Sequence, residues 1–310
     1  MILSLTSLPV SAYWADIAWN GTVFCAIAGT QSGIDTTVAA ISSDGVIWTS
    51  SVLPASRKWV GIAWNGTVFC CVSVDSTDVA LSTNGITWSL ASLPAGVTTT
   101  VTIEAFKGLF VTGSYLHSSY YSSDGITWAT SNTLPGKYYN DFGVNESVLI
   151  AKQGASLYTT VDGINWISQY GYPIDGSSFA WNGSLFCATK GVNTDSYLTS
   201  PDGITWTERT FPQVRTWIGI AWNGTVFSVI SFNSNVALTS TDGLTWTVET
   251  LPAVANWTRI IWNGTIFCAI TSNMDDRAAT SPDGTWQDYE IIPPSLPAFW
   301  TNFKGQSEIC

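Results

Sequence analysis

Short alternations of apolar and polar residues recur along the chain, and a turn dipeptide separates each from the next. The apolar run at 59–64 ends in Trp, Asn-Gly follows, and a second apolar run occupies 67–74. Asn-Gly between apolar runs predicts a tight hairpin, because both turn positions need a positive φ. A third run (78–82), an Asn-Gly turn and a fourth run (86–92) complete four predicted antiparallel strands.

This unit of four strands is repeated seven times. Each unit contains a motif of the form Ser/Thr-x-Asp/Asn-Gly-x-x-Trp, shortened by one residue in the seventh unit, and successive Trp residues are 40, 40, 38, 40, 40 and 40 positions apart. Four strands in about 40 residues, repeated in tandem, predict an all-β fold, a β-propeller of four-stranded antiparallel blades. The structural Asp (or Asn) and Trp residues of the motif are Asp44, Trp48, Asn84, Trp88, Asp124, Trp128, Asp162, Trp166, Asp202, Trp206, Asp242, Trp246, Asp283 and Trp286.

The repeats indicate one propeller domain over residues 1–310. Its units are predicted at about 9–50, 51–92, 93–132, 133–170, 171–210, 211–250 and 251–291. Residues 1–8 match the fourth-strand segment of the unit and residues 296–310 resemble the start of another unit, so 1–8 and 292–310 are interpreted as terminal closure segments. Seven blades are favoured, and in a seven-bladed ring both segments overhang. In the alternative of eight blades, the two terminal segments meet in one composite blade.

The Asp-Gly-x-x-Trp motif resembles the Asp box, or bacterial neuraminidase repeat, of sialidase-type propellers. The resemblance covers residues 11–291 and implies that the motif lies between the third and fourth strands, where Asp and Ser/Thr accept turn N–H groups and Trp packs beneath. It is specific for the fold rather than for an activity. Asn84 in place of Asp, and Val161 before Asp162, are departures that a scaffold tolerates.

Composition narrows the classes of partner and chemistry. The net charge of −11, without a Lys/Arg cluster, argues against nucleic acid and membrane surfaces as partners. Cys25, Cys70, Cys187 and Cys268 share one slot in their units, where disulfides cannot form, so we expect buried thiols in a reducing compartment. One His, His117, and no Cys-x-x-Cys predict neither a metal site nor a cofactor. The N-terminal segment lacks the pattern of a signal peptide.

Enzymatic activity is tested against the family that the repeats resemble. Sialidases need three arginines, a Tyr/Glu nucleophile pair and an acidic proton donor, and the five arginines here form no comparable motif. We therefore expect a non-enzymatic protein, with a sialidase-like or other glycoside hydrolase as the alternative. The pairs Asp275 with Asp276, and Asp141 near Glu146, are the candidate carboxylates for that alternative.

A ligand is expected on the face whose loops differ between units, because diverse loops on a rigid scaffold build recognition sites. Four Trp residues lie five positions before a Trp-Asn-Gly Trp, near the mouth of the predicted channel, with Arg and Tyr residues beside them. Such a set suits sugar rings, which stack on indole; the alternative is that these Trp residues only pack blades together. The candidate ligand-binding residues are Trp14, Arg57, Trp59, Tyr138, Tyr139, Arg215, Trp217, Trp257 and Arg259.

Tandem units of this kind resemble those of phage-encoded propellers in tail and virion proteins. They are also similar to the Asp-box blades of photosystem II assembly factors, but an arginine-rich patch is lacking here. The expected function is that of a virion component, made in bacterial cytosol, that binds a host glycan or another virion protein. A bacterial cytoplasmic protein, a protein-binding assembly factor and a homo-oligomer within a particle remain alternatives.

Overall fold

The structure is a computed structural model, and every regular element of the residues that it describes is a β-strand. No helix in the described part of the chain is long and apolar enough to span a bilayer. The described residues are 5–29, 35–97, 100–114, 119–131, 139–153, 156–169, 178–271 and 275–286.

The strands form four-stranded antiparallel blades, which confirms the predicted fold class. The first strand in the chain, β1 (Leu5–Ala12), belongs to the last blade. Blades 1 and 2 contain β2 (Trp14–Trp19), β3 (Phe24–Ala28), β4 (Thr36–Ser42), β5 (Thr49–Trp64), β6 (Phe69–Val74), β7 (Asp78–Ser82) and β8 (Ser89–Ser92). Blades 3 and 4 contain β9 (Thr100–Phe106), β10 (Leu109–Ser114), β11 (Tyr120–Ser122), β12 (Ala129–Thr130), β13 (Tyr139–Val144), β14 (Leu149–Gln153), β15 (Ser156–Thr160) and β16 (Ile167–Gln169). Blades 5, 6 and 7 contain β17 (Phe179–Trp181), β18 (Phe186–Thr189), β19 (Gly191–Ser200), β20 (Thr207–Trp222), β21 (Phe227–Ser240), β22 (Thr247–Trp262), β23 (Phe267–Thr271) and β24 (Asp275–Ser281).

Three long strands pass from one blade to the next. β5, β20 and β22 each have 16 residues. The first half of each pairs with the third strand of one blade, and the second half is the innermost strand of the following blade. The blade-to-blade connections are therefore continuous extended backbone at these three junctions.

The N-terminal strand closes the ring. β1 pairs antiparallel with β24, with Leu5 opposite Ala279, and so supplies the fourth strand of blade 7. Trp14 and Ile17 of blade 1 pack in one cluster with Ile270 of blade 7, so the first and last blades are neighbours. The described residues thus form seven blades. The expectation that residues 1–8 overhang a seven-bladed ring is wrong for 5–8, and residues 292–310 lie outside the described residues.

The hydrophobic core lies between neighbouring blades. In blade 1 every residue of β3 is buried, because a second strand is covered by a neighbouring blade on each side. Cys25 and Ile27 of blade 1, for example, pack with Ile62 and Cys71 of blade 2. The predicted burial of the repeated cysteines is confirmed: Cys25, Cys70, Cys71, Cys187 and Cys268 are buried and unbridged.

The Ser/Thr-x-Asp-Gly-x-x-Trp motif forms the turn between the third and fourth strands. In blade 3, Asp124 Oδ1 accepts the N–H groups of Ile126 (2.8 Å) and Thr127 (2.7 Å), and Ser122 Oγ accepts that of Gly125 (2.8 Å). The Trp128 indole N–H donates back to the Gly125 carbonyl at 3.0 Å. The side chains thus satisfy the turn's backbone donors, as expected from the motif.

Acid is expected to weaken these turns. The N–H groups of Thr127 and Ile126 hold the pKa of Asp124 below its usual range, and those of Thr245 and Leu244 do the same for Asp242. A depressed carboxyl pKa contributes stability that is complete above the unfolded pKa, about 3.9, and is lost as pH falls through the folded pKa. Urea denaturation should therefore show stability falling below about pH 4.

Replacing the Asp of a turn by Asn removes the carboxylate charge but keeps the hydrogen bonds of the turn. Asn84 Oδ1 already accepts the N–H groups of Ile86 and Thr87 at 2.9 Å, so Asn supports the same turn. The variant Asp124→Asn/Asp242→Asn should unfold with a flatter dependence on pH below 4 and match the parent at pH 7 within about 1 kcal/mol. Parallel curves for the two proteins between pH 4 and pH 2 would contradict this account.

Candidate ligand-binding face and central channel

The antiparallel blades divide the connections between two faces. The turn face carries the Asn-Gly turns, such as that at Asn65, and the Asp-Gly turns, such as that at Asp124. The loop face carries the links between second and third strands and between blades, such as 75–77 and 53–58. Both faces open onto the central channel, which the innermost strands surround.

The four Trp residues predicted at the channel mouth have no exposed face. Trp14 is 1% exposed, and Trp59, Trp217 and Trp257 are 0% exposed. A platform for a sugar ring needs an accessible indole face, so their placement among the candidate ligand-binding residues is corrected. They pack blades together, the alternative that the sequence left open.

Local contacts explain this burial. The Trp59 indole lies among Leu53 and Ile27, and its N–H donates to the Thr36 carbonyl of blade 1 at 3.1 Å. The Trp257 indole N–H donates to the Ala253 carbonyl at 3.3 Å. The Trp59 and Trp257 indoles are therefore fixed by a hydrogen bond as well as by packing.

The predicted polar residues lie in separate surroundings. Arg57 Nε contacts Asp78 Oδ2 at 2.6 Å in blade 2, and Arg215 is exposed on the loop face opposite Thr194. Arg259 lies inside the channel rather than on the loop face. Tyr138 lies outside the described residues, and Tyr139 is described only as the first residue of β13. The members of the predicted set whose side chains are described therefore do not share one pocket.

The variable loops share a turn design that sequence reasoning missed. Asp75, Asn193 and Asn233 each adopt a positive φ, of 61°, 46° and 49°. The Ser or Thr after each then accepts the N–H of the residue two positions on, as Ser76 Oγ does from Asp78 at 3.0 Å. The signal was available as Asp/Asn followed by Ser/Thr just before the third strand. These loops differ in side chains while their backbones are fixed alike.

The central channel forms a cavity of about 530 Å³ with a polar belt. The third residue of the inner strand is Asp16 in blade 1 and Arg259 in blade 7, and Asp16 Oδ1 lies 3.2 Å from Arg259 Nε. Asp16 Oδ2 also accepts the Ile62 N–H of blade 2 at 3.0 Å, so one carboxylate joins three blades. Ser178 of blade 5 accepts the Ile220 N–H of blade 6 in the same way, at 3.3 Å.

Burial and the neighbouring charge shift the pKa of Asp16 in opposite directions. Desolvation raises the pKa of its carboxyl, while the Arg259 guanidinium and the Ile62 N–H favour the ionised form. This polar belt of the channel was not predicted. The sequence nevertheless carries a signal for it, because the third residue of the inner strand varies between units while the Ile and Ala that follow it recur.

Five Trp residues of the Trp-Asn-Gly turns also line the channel, where the sequence indicated scaffold only. Each packs on the Phe that follows in the next strand, with ring centroids 4.5 to 4.9 Å apart, and each remains partly exposed. They are Trp19, Trp64, Trp181, Trp222 and Trp262. Within the described ranges, the partly exposed indoles thus lie in the channel and on the turn face.

The described residues contain no group of three or more His, Cys, Asp or Glu side chains that could hold a metal ion. His117 lies outside the described residues. Of the candidate carboxylates, Glu146 is exposed in the turn after β13, while Asp141, Asp275 and Asp276 are described by backbone only.

Comparison with known proteins identifies the fold. The sequence matches no protein-family model and no curated protein. Among solved structures, YCF48 bound to D1 peptide has a TM-score of 0.72 at 14% identity over 90% of this chain and 96% of that one. The chain is a β-propeller. Virginiamycin B lyase from Staphylococcus aureus has a TM-score of 0.75 at 10% identity (90% and 98% covered), and the Niastella koreensis GH74 enzyme 0.61 at 16% (88% and 43% covered). At these identities the likeness shows the propeller fold alone.

Proposed function

We propose that this propeller is a non-enzymatic binding protein that recognises its partner through the loop face. The observation that carries the proposal is chemical diversity at one backbone position. The residue just before the inner Trp is a different, partly exposed polar residue in each of four blades: Tyr13, Lys58, Thr216 and Asn256. The Asn-Gly turns on the opposite face are nearly identical in sequence. Sequence variation is therefore concentrated on the loop face, where a partner can contact it.

Contacts among neighbouring loops hold part of this set in place before a partner arrives. Lys58 Nζ lies 2.9 Å from Asp75 Oδ2, which is at the tip of the adjacent loop. Thr216 Oγ1 accepts the Asn193 N–H at 3.3 Å, again between two loops of the same face. Side chains that are already ordered lose less entropy on binding, which favours recognition.

The proposed partner is a host glycan or another virion protein, and the proposed setting is a phage virion assembled in bacterial cytosol. The support for the setting is the resemblance of the tandem units to those of phage-encoded propellers. YCF48, solved with a bound D1 peptide, shows that a propeller of similar fold binds a polypeptide. The net charge of −11 disfavours nucleic acid and anionic membranes as partners.

The experiment that tests the proposal is binding of the labelled protein to printed bacterial surface polysaccharides. Lys58→Ala/Arg215→Ala should weaken binding about tenfold or more, because both side chains face the partner and charged contacts contribute strongly at interfaces. The matched control is Thr22→Ala/Thr225→Ala on the turn face, because both residues are exposed and alanine keeps their backbone N–H bonds to Asn20 and Asn223. Release of reducing sugar from a bound polysaccharide would overturn the non-enzymatic assignment.

A further inference from the structure

Blade 4 departs from the other blades in its turn between the third and fourth strands. Val161 and Ile167 are 67% and 66% exposed there. In the other units the residue that corresponds to Val161 is Ser, Thr or Pro, and the residue that corresponds to Ile167 is Thr, Ser, Ala or Gln. The turn face also exposes Ile47, Ile86 and Ile126 after the Asp-Gly or Asn-Gly of other blades, so blade 4 differs in carrying two additional large apolar side chains, neither of them buried.

These two side chains line a groove of about 560 Å³ between blades 4 and 5 on the turn face. The volume falls within the range of about 300–1,000 Å³ that is usual for small-molecule sites. Blade 5 contributes the facing wall, in which Ile204 is 45% exposed. The apolar wall consists of Val148, Val161, Ile167, Trp181 and Ile204.

Trp181 gives the groove an aromatic surface that is fixed in position. Its ring packs on Phe186 with the centroids 4.5 Å apart, while the side chain stays partly exposed. The same indole lines the central channel, so it forms a wall between the two cavities. An indole held from one side can offer its other surface to the C–H groups of a ligand.

Neutral amides and hydroxyls surround this apolar wall. The Asn165 side chain donates to Asp162 Oδ2 at 2.7 Å, which fixes the orientation of its amide. Asn145 Oδ1 accepts the N–H groups of Ser147 and Val148, and this fixes a second amide at the rim. Gln169 and Thr159 complete the polar edge and are joined by a hydrogen bond of 3.1 Å.

The charges at the groove select among ligands. Asp162 and Asp202 line it, and no Lys or Arg does among the described residues. Asp202 Oδ1 accepts the N–H groups of Ile204 and Thr205 and the Ser200 hydroxyl, and the ion pairs of the described residues do not include Asp202. The two carboxylates repel anionic ligands, while their oxygens suit hydroxyl donors; the nearby Lys107 ammonium is bound to the Val161 carbonyl at 2.9 Å.

We propose that the groove between blades 4 and 5 binds a neutral saccharide, with the C–H face of a sugar ring against Trp181, Val161 and Ile167. The hydroxyls pair with the Asn145 and Asn165 amides and with Asp202 Oδ2. The site lies on the turn face, opposite the loop face of the proposed function. The groove site can therefore be tested independently of the proposed function.

The test compares the parent with Val161→Thr/Ile167→Thr on an array of neutral and acidic glycans, followed by calorimetric titration with the neutral glycan that binds best. Both substitutions restore residues that other blades carry at these positions, so the fold should be retained, as thermal unfolding can verify. The double variant should bind about tenfold or more weakly, because the ligand loses apolar contact area. Ile86→Thr, in the equivalent turn of blade 2 and 60% exposed, is the matched control and should bind like the parent.

Each outcome of this test either supports or overturns the saccharide site in the groove. Neutral-glycan binding that the double variant loses, and that Lys58→Ala/Arg215→Ala keeps, supports a separate groove site. Binding to acidic glycans only, no glycan binding, or neutral-glycan binding that survives in the double variant overturns it. Loss in Lys58→Ala/Arg215→Ala alone would overturn the groove while supporting the loop face.

Discussion

Replacing Trp217 by alanine should lower the free energy of unfolding by about 3–5 kcal/mol, the usual cost of deleting a buried aromatic side chain. Trp217 is 0% exposed and packs on Phe211, with the ring centroids 5.1 Å apart. Phe211 in turn stacks on Tyr197 at 4.1 Å. Removing the indole leaves a cavity beneath the junction of blades 5 and 6 that the sheet cannot collapse to fill.

Chemical denaturation of the purified variant measures this effect. The control is Val214→Ala in the same junction, which is 59% exposed and should change stability by less than about 0.5 kcal/mol. If Trp217→Ala unfolded like the parent and lost only ligand binding, Trp217 would be a binding residue after all.

Replacing Gly243 by alanine should destabilise the protein by about 2–4 kcal/mol, from two physical causes. Its φ of 71° is a conformation that costs energy for any residue with a Cβ. An added Cβ would also lie 2.6 Å from Cys187 Sγ and 3.0 Å from Phe227 Cε2, both in the core beneath the turn. The turn of blade 6 would have to lift away from blade 5.

A second glycine separates the two causes. Gly224 has a φ of 94°, but an added Cβ there would meet no heavy atom within 4 Å. Gly224→Ala should therefore show backbone strain alone, and Gly243→Ala should exceed it by about 1–3 kcal/mol in thermal or urea unfolding. Equal losses in the two variants would mean that the contact between blades does not constrain Gly243.

The fold could be predicted because its determinants are local and repeated. Asn-Gly turns, Asp-Gly turns and alternating apolar residues each determine structure within a few positions. Because the unit that contains them recurs seven times, all of its copies indicate the same four-stranded blade. Closure was harder to predict, since the pairing of β1 with β24 joins residues more than 260 positions apart. Nothing within residues 1–8 distinguishes the fourth strand of the last blade from part of an extra blade.

The candidate site was less predictable, because burial depends on the neighbouring blade. Trp59 and Trp64 occupy the same strand and look alike in sequence, yet Trp59 is fully buried and Trp64 lines the channel. The contact between Asp16 and Arg259 depends on which blades meet at closure. Val161 was visible as a departure from the repeat, but its place in a groove required blade 5 beside it.

The most direct test of the central claim, that the loop face is the recognition surface, is binding of three proteins to the same printed bacterial polysaccharides. The parent and Thr22→Ala/Thr225→Ala should bind equally, and Lys58→Ala/Arg215→Ala should bind about tenfold or more weakly. Equal binding by all three proteins, or a loss confined to Thr22→Ala/Thr225→Ala, would contradict recognition through the loop face.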